Sequence, residues 1–569
     1  MSAVLEAREP SARYLPAVQP ALVRRFELLA TAPGGVARLR ELVLSLAVQG
    51  KLVPQDPSDE PASSLLQRIH EEKDGLVAAG KIKRDKVSPT VAMDEAPFEL
   101  PDTWLWTKLG AVAKKITDGT HHSPANFAAG DFKYLSAKNI KSWGIDLTDV
   151  TYVPASIHRE IYSRCDPEPG DILYIKDGAT TGVLTINTLQ EQFSLLSSVG
   201  VVKPSCGLAS EYLALLMRSP FFYQAMRDGM TGVAITRVTL SKLGAALVPL
   251  PPLAEQARIV ARVDELMRLC DALEAKGRLE AEQHARLLGT LLGTLTDSRT
   301  PEELAANWQR VADHFDLLFD RPEAVDTLEQ TILQLAVRGL LVPQDQKDEP
   351  ADALLTRIRE HKAQLVSAGE IRAGKPVDEL AADELPFNLP QTWAWARFGD
   401  ITINRDGERI PVSASDRERR AKIYDYYGAS GVIDKIDGYL FEKTLLLIGE
   451  DGANLLNRST PIAFLAHGKY WVNNHAHVID TMDAGLMRYL ELFVNAISLE
   501  PYVTGTAQPK MNQAKLNSIV VALPPLSEQS RIVARVTELR RLCTNLRERL
   551  AASQTTQSHL AEALVDEMA

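Results

Sequence analysis

The sequence is poor in the features that announce a compartment or a reaction. Four cysteines in 569 residues, Cys165, Cys206, Cys270 and Cys543, are too few and too scattered for a disulfide scaffold, and no CxxC pair points to zinc or thiol redox chemistry. A reducing, cytoplasmic setting is expected. No stretch approaches the ~18 uninterrupted apolar residues of a membrane helix. The opening MSAVLEAREP carries acids where a secretion signal would carry a basic and then an apolar run, so neither export nor membrane insertion is expected. No GxxxxGK[ST] phosphate loop occurs: Gly50-Lys51, Gly80-Lys81, Gly374-Lys375 and Gly468-Lys469 lack the leading glycine at the required spacing and the following hydroxyl. Missing too are the Asp/Asn-Pro-Pro-aromatic run of an amino-methyltransferase, a glycine-rich turn for its methyl donor, and the acidic pair with E-x-K that holds a nuclease's metal. The histidine clusters, His121-His122 and His475-Ala-His477, have no third ligand at metal spacing. Neither a metal site nor a catalytic residue is expected. Basic excess is also absent: 63 Lys and Arg face 74 Asp and Glu, a net charge of −11. That excludes coating nucleic acid by bulk electrostatics and leaves a local basic groove open.

What the sequence has is a duplication. Residues 46–56 read LAVQGKLVPQD and 335–345 read LAVRGLLVPQD, nine identities in eleven at an offset of 289. At the same offset Phe26, Leu28 and Leu29 match Phe315, Leu317 and Leu318, and LPDTWLW at 100–106 matches LPQTWAW at 389–395. LPPLAEQARIVARVDELMRLC at 250–270 returns as LPPLSEQSRIVARVTELRRLC at 523–543, seventeen identities in twenty-one, at an offset of 273. The chain is one plan stated twice, with shared flanks and middles that differ in length and sequence. The period is far beyond the ~20 to 50 residues of a solenoid, so whole domains are duplicated. Shared flanks imply a shared scaffold or partner; unlike middles imply two ligands, or two pieces of one.

Periodicity supplies the elements. After Pro251-Pro252 and Pro524-Pro525, each followed by a Glu-Gln pair suited to a first helical turn, apolar residues fall in heptads. They are Ile259, Val263, Leu266, Cys270 and Leu273 in one copy and Ile532, Val536, Leu539, Cys543 and Leu546 in the other. Two helices of roughly 40 residues, about 60 Å long, are predicted to pair as an antiparallel coiled coil, with packing of each seam on its own neighbouring domain as the alternative. Cys270 and Cys543 read as small apolar fillers on those seams. The first ~100 residues of each copy also read as helical, and 81–97 and 372–386 as linkers. From the TWxW motifs onward the texture is β, with short apolar runs between Gly, Asn and Asp turns. The fold class is therefore α+β. Its segments are an N-terminal helical region at 1–97, a strand-rich domain at 98–249, a helix at 250–296, a central helical region at 297–386, a second strand-rich domain at 387–522 and a second helix at 523–569.

The middles hold loop chemistry suited to reading something large. In the first, Thr120, His121, His122, Lys138, Asn139, Lys141, Lys176, Thr180, Thr181 and Arg237 are the candidates. In the second they are Arg405, Arg409, Arg419, Tyr427, Ser430, Glu450, Asp451, Asn454, Asn474, His475, Gln508 and Lys510. Arg and Lys reach guanine edges or phosphates, Asn and Gln clamp adenine, and acids accept from cytosine. Residues 105–249 carry 14 basic and 12 acidic groups, and 396–522 carry 14 and 15. The negative charge thus lies almost wholly in the helical parts.

This plan resembles the specificity subunit of Type I restriction-modification enzymes over essentially the whole chain. The marks are LPPLxEQxRIV at 250–260 and 523–533, GDILYIKDG at 170–178, GEDG at 449–452, YGASG at 427–431, and Ser-Lys-Leu at 241–243 with Ala-Lys-Leu at 514–516. The resemblance implies two target-recognition domains, each reading one half of an asymmetric bipartite site in double-stranded DNA, arranged with pseudo-two-fold symmetry. It implies helices that set the spacing and dock two methylation subunits, with restriction subunits joining later. S-adenosylmethionine, ATP and magnesium would belong to those partners, and this chain would be non-catalytic. The rival readings are a two-domain adaptor that binds proteins and an enzyme hidden in one middle.

Overall fold

The structure, a computed structural model, describes residue 29 and residues 32–82, 91, 95–228, 237–372, 380–505 and 508–568. Phe26 and Leu28 of the repeat, and most of the residues read as linkers, lie outside the described residues. The chain divides into two compact units, residues 1–279 with 554–569, and residues 280–553.

In the first unit, helices α1 (Gly35–Val48) and α2 (Ala62–Ala78) precede the strand-rich domain. Gly50 ends α1 with φ +70°, and a Cβ there would lie 2.5 Å from Pro101 Cγ. Its counterpart Gly339 has φ +74°, with 2.6 Å to Pro390 Cγ. The repeated glycine and the repeated LPxTW are two sides of one contact, which only a residue without Cβ allows.

The domain is clasped at its ends. Strand β1 (Leu105–Lys108) pairs antiparallel with β9 (Leu247–Leu250), Leu105 opposite Leu250. Between them run β2 (Ala113–Asp118), β3 (Phe132–Leu135), β4 (Thr151–Val153), β5 (Ile172–Ile175), β6 (Leu184–Ile186), β7 (Ser194–Leu195) and β8 (Val199–Pro204). They form an antiparallel sheet of order β2-β8-β5-β6 and a smaller sheet of order β4-β3-β7, in which β3 and β7 are parallel. Helix α3 (Leu253–Thr296) follows the clasp.

The second unit repeats this order. Helices α4 (Pro322–Val337) and α5 (Ala351–Ser367) lead to a clasp of β10 (Ala394–Arg397) with β18 (Val520–Leu523), Ala394 opposite Leu523. Inside it lie β11 (Ile403–Asn404), β12 (Tyr424–Gly428), β13 (Gly431–Ile436), β14 (Leu445–Gly449), β15 (Ala463–Ala466), β16 (Tyr470–Val472) and β17 (Ala476–Asp480). Their orders are β11-β17-β14-β15 and β13-β12-β16, with β12 and β16 parallel. Middles with little common sequence share one strand plan. Helix α6 (Leu526–Met568) closes the chain.

The motif at each clasp is a buried joint. Glu255 and Gln256 are fully buried; Glu255 accepts from Trp104 Nε1 at 2.9 Å and Gln55 Nε2 at 2.6 Å, and Arg258 pairs with Asp59 at 2.5 Å. Glu528 accepts from Trp393 Nε1 at 3.0 Å and Gln344 Nε2 at 2.7 Å, and Arg531 pairs with Asp348 at 2.6 Å. Burial pushes both carboxyls above the usual range, and the indole and amide donors pull them partly back.

The seams serve the units' own cores. Ile259, Val263, Leu266 and Cys270 are buried with Leu39, Leu42 and Leu46 of α1, with Leu273 at the margin, and Arg40 of α1 pairs with Asp271 at 2.6 Å. Ile532, Val536 and Cys543 are buried with Leu328, Ile332 and Leu335 of α4, with Leu539 and Leu546 at the margin; Arg540 pairs with Glu329 at 3.0 Å. These stretches of the two seams are covered by each unit's own helical layer, since heptad spacing specifies an apolar partner and not its identity. Both long helices begin in one unit and end in the other: Leu288, Leu292 and Leu295 of α3 belong to the second unit's core, Ala561 of α6 to the first's.

Candidate nucleic-acid interface

In the first domain the fully buried β5 runs out into Lys176-Asp177-Gly178. Lys176 is 2% exposed, its Nζ 3.4 Å from Asp118 at the end of β2 and 3.2 Å from Asp177. Asp118 also accepts from Arg164 and lies 3.4 Å from His121 Nε2. Asp177 pairs at 3.3 Å with the exposed Arg237, and Val238 N–H donates to the Lys176 carbonyl at 2.8 Å. Thr181 is buried, its hydroxyl donating to Gly178 O at 2.7 Å, while Thr180 is exposed.

The second domain has the same mouth built from other residues. β14 runs out into Glu450-Asp451-Gly452, and Gly452 has φ +106° where Gly178 has +100°. Asp451 bridges to Lys510 as Asp177 does to Arg237, and Met511 N–H donates to the Glu450 carbonyl at 2.8 Å, as Val238 does to Lys176. Glu450 therefore stands where Lys176 stands. Its carboxylate is met by Arg409 at 2.9 Å and Lys510 at 3.2 Å. Asp451 faces His475 at 2.8 Å.

Strand register extends the correspondence. Gly200 lies opposite both Tyr174 and Asp118. With Ile448 in the place of Tyr174, the residue opposite it is His477, whose Nδ1 is 2.6 Å from Asp406. Asp406 thus matches Asp118, and His477 matches Gly200. The aspartate at this place is neutralised by Lys176 in one domain and by His477 in the other.

Of the candidates, Thr120, His121, Lys176, Thr181 and Arg237 gather at the first mouth, with His122 in the same exposed loop, its N–H donating to Thr120. Arg405, Arg409, Glu450, Asp451, His475 and Lys510 gather at the second, Arg405 by way of Asp480 at 2.7 Å and Glu408 at 2.9 Å; Asn474 and Gln508 are exposed beside them in sequence. Lys138, Asn139 and Lys141 stand instead at the hairpin of Ile140–Lys141 with Gly144–Ile145, and Arg419, Ser430 and Tyr427 around β12 and β13. Several expectations of direct contact give way to support roles. Asn139 is buried and its amide donates to Asp146 O and Asp149 O; Asn454 is committed to Thr460 and Ser459; Tyr427 packs edge-on to Tyr470 at 5.4 Å; Lys176, Thr181 and Glu450 are buried. Sequence reasoning missed Asp118, Asp406 and His477 as members of the mouths, and Trp143, which stands 73% exposed on the hairpin tip beside Lys141. Aligning KDG with EDG and counting along the strands would have found the first three. Among the described residues no three His, Cys, Asp or Glu gather at metal-binding distance, and no helix is long and apolar enough to cross a membrane.

Comparison with known proteins assigns this architecture. The family model of the Type I restriction modification DNA specificity domain matches twice, at residues 101–283 and 390–553. The chain is 35% identical over 571 residues to the specificity subunit of the Type I restriction enzyme EcoEI from Escherichia coli, covering 94% of this chain and 93% of that one. It belongs to the Type I restriction enzyme specificity subunits. A second relative, the EcoAI specificity subunit from Escherichia coli, is 34% identical over 94% of this chain and 93% of its own. The HsdS subunit from Thermoanaerobacter tengcongensis, a solved structure, aligns at 18% identity over 84% of this chain and 99% of its own, with a TM-score of 0.38. Each family match spans one clasped domain and more than half of the long helix that follows it. As a specificity subunit, the chain supplies sequence recognition of DNA through its two strand-rich target-recognition domains.

Proposed function

We propose that residues 98–249 read one half of an interrupted, asymmetric duplex site and residues 387–522 the other. Each mouth then presents an exposed cation and an exposed imidazole over an ionic support: Arg237 with His121 in the first, Lys510 with His475 in the second. The observation that carries this is one strand plan with unlike residues at matched positions, Lys176 against Glu450 above all. Equal frames with unequal mouths suit unlike half-sites. The repeated flanks dock two copies of one methylation subunit, and the long helices fix the unread gap. Restriction subunits join this assembly, and S-adenosylmethionine, ATP and magnesium act on the partners. This chain contributes recognition and no bond-making step, working in the cytoplasm beside the DNA. The protein-adaptor reading draws no support from the relatives named above.

The clasps β1–β9 and β10–β18 hold each domain's ends in adjacent strands, so one domain can be replaced without moving the flanks. Exchanging residues 104–249 for another variable domain is expected to change one half-site only, read by methylation-sensitive sequencing of the host's DNA. Change in both halves, or in neither, would refute the modular reading. One heptad added to each long helix lengthens it by about 10 Å and is expected to widen the gap by about three base pairs; an unchanged gap would exclude the helices as spacers.

A further inference from the structure

The second mouth rests on a histidine. His477 is 1% exposed, with Nδ1 2.6 Å from the Asp406 carboxylate and Nε2 2.8 Å from the Met511 carbonyl. Both partners only accept, and a neutral imidazole carries a single N–H, so the imidazolium alone satisfies both contacts. Burial opposes that charge; the hydrogen bond and the charge of Asp406 outweigh it and hold the imidazole above its usual 6.5.

The ring braces the reading loop from two sides. Asp406 receives Val478 N–H at 2.8 Å, and Met511, whose carbonyl takes the Nε2 proton, donates its N–H to Glu450 O at 2.8 Å. The other charged and titratable groups facing His477 come from each neighbouring segment. Glu450 lies 3.8 Å from Nδ1; Arg409 lies 3.5 Å from Asp406 and 2.9 Å from Glu450; Lys510 pairs with Glu450, and exposed His475 with Asp451. In the first domain the matching position is Gly200, and Asp118 is met by the buried Lys176, by Arg164 and, from the exposed loop, by His121 at 3.4 Å. The buried group that meets the aspartate is a histidine in the second domain alone, and only histidine ordinarily changes charge near neutral pH.

We propose that His477 is a positioning residue for the second reading loop, so that recognition of the second half-site, and not of the first, fades as the imidazolium loses its proton. This rests on the reading of both domains as DNA readers. The sign follows from the raised titration: the brace is complete below the ordinary histidine value and is lost as the pH climbs through the higher folded-state value.

The test selects a randomised duplex library on the complex of the full chain with its methylation subunits at about pH 6 and about pH 9, the halves being assigned by the domain exchange above. Enrichment of the second half-site is expected to fall about tenfold at the higher pH, in the chain and in its His475→Gln variant alike, with the first half, read in a variant carrying His121→Gln and His122→Gln, showing no pH dependence as an internal control. Two halves that hold steady, or that fall together, would overturn the proposal while leaving DNA reading intact. No selected sequence at either pH would overturn both. His477→Gln is expected to give weak second-half enrichment at both pH values; a variant that kept the wild-type pH dependence would overturn the proposal. Should that variant fail to fold, the wild-type comparison decides alone.

Discussion

The two recognition domains solve one electrostatic problem in two ways, while the joints beneath them solve theirs in one. Trp104–Glu255 and Trp393–Glu528 are the same hydrogen bond at 2.9 and 3.0 Å, and Arg258–Asp59 and Arg531–Asp348 the same ion pair at 2.5 and 2.6 Å. At the mouths an aspartate is held in both copies, but its buried cation has moved from the end of the central strand, Lys176, to the neighbouring strand, His477. A lysine traded for Glu450 and a glycine traded for His477 are compensating exchanges. A buried charge left unpaired is costly, so neither exchange stands without the other. Residues that join domain to helix must keep one geometry in both copies; residues that shape the mouth must only keep the balance of charge.

The sharpest way to break that comparison is to remove the cation on one side. Lys176→Met leaves one oxygen of the buried Asp118 facing apolar surroundings, with Arg164 and His121 on the other. A loss of about 3 kcal/mol is expected, confined to the first domain. Glu450→Gln, at the matched position, leaves Arg409 still bonded to Ala476 O at 2.7 Å and is expected to cost only about 1 kcal/mol. Hydrogen exchange of β5 and β8 amides against those of β14 and β17 measures both in one molecule. Equal losses would mean that Lys176 and Glu450 do not play opposite electrostatic parts at their shared position.

Much of the frame was legible. The offsets of 289 and 273 residues gave the two copies, the proline pairs and heptads gave the long helices, and strand texture marked the middles. The matched topology of the middles was not legible, because strands as short as Ile403–Asn404 carry no periodicity and their residues differ from those of Ala113–Asp118. The mouths were half-read: loops after β5 and β14 drew notice as polar chemistry, but which side chains turn inward depends on register with β8 and β17. Asn139 and Thr181 resemble contact residues in a list and prove to be internal braces. The seams were read as apolar, correctly, yet one helix's apolar stripe does not say which surface covers it.

The smaller test sharpens the other side of the comparison, the identity of the joints. Trp104→Phe and Trp393→Phe each remove one indole N–H from a buried carboxylate that keeps its glutamine donor, Gln55 or Gln344. Each is expected to cost about 1 to 3 kcal/mol, and the two losses should agree within about 0.5 kcal/mol because their surroundings repeat. The pH dependence follows from burial, which already holds Glu255 and Glu528 above the usual carboxylate range. A group raised in the folded state supports the fold fully below its unfolded value, and that support is lost as the pH rises through the folded one. Without the indole donor each carboxyl rises further, so the deficit of either variant should widen as the pH climbs from the ordinary carboxylate range through the raised folded-state values. Exchange protection of the clasp amides in β1–β9 and β10–β18 reads both variants; a deficit in one copy alone would show that the repeated bond does unequal work in the two units.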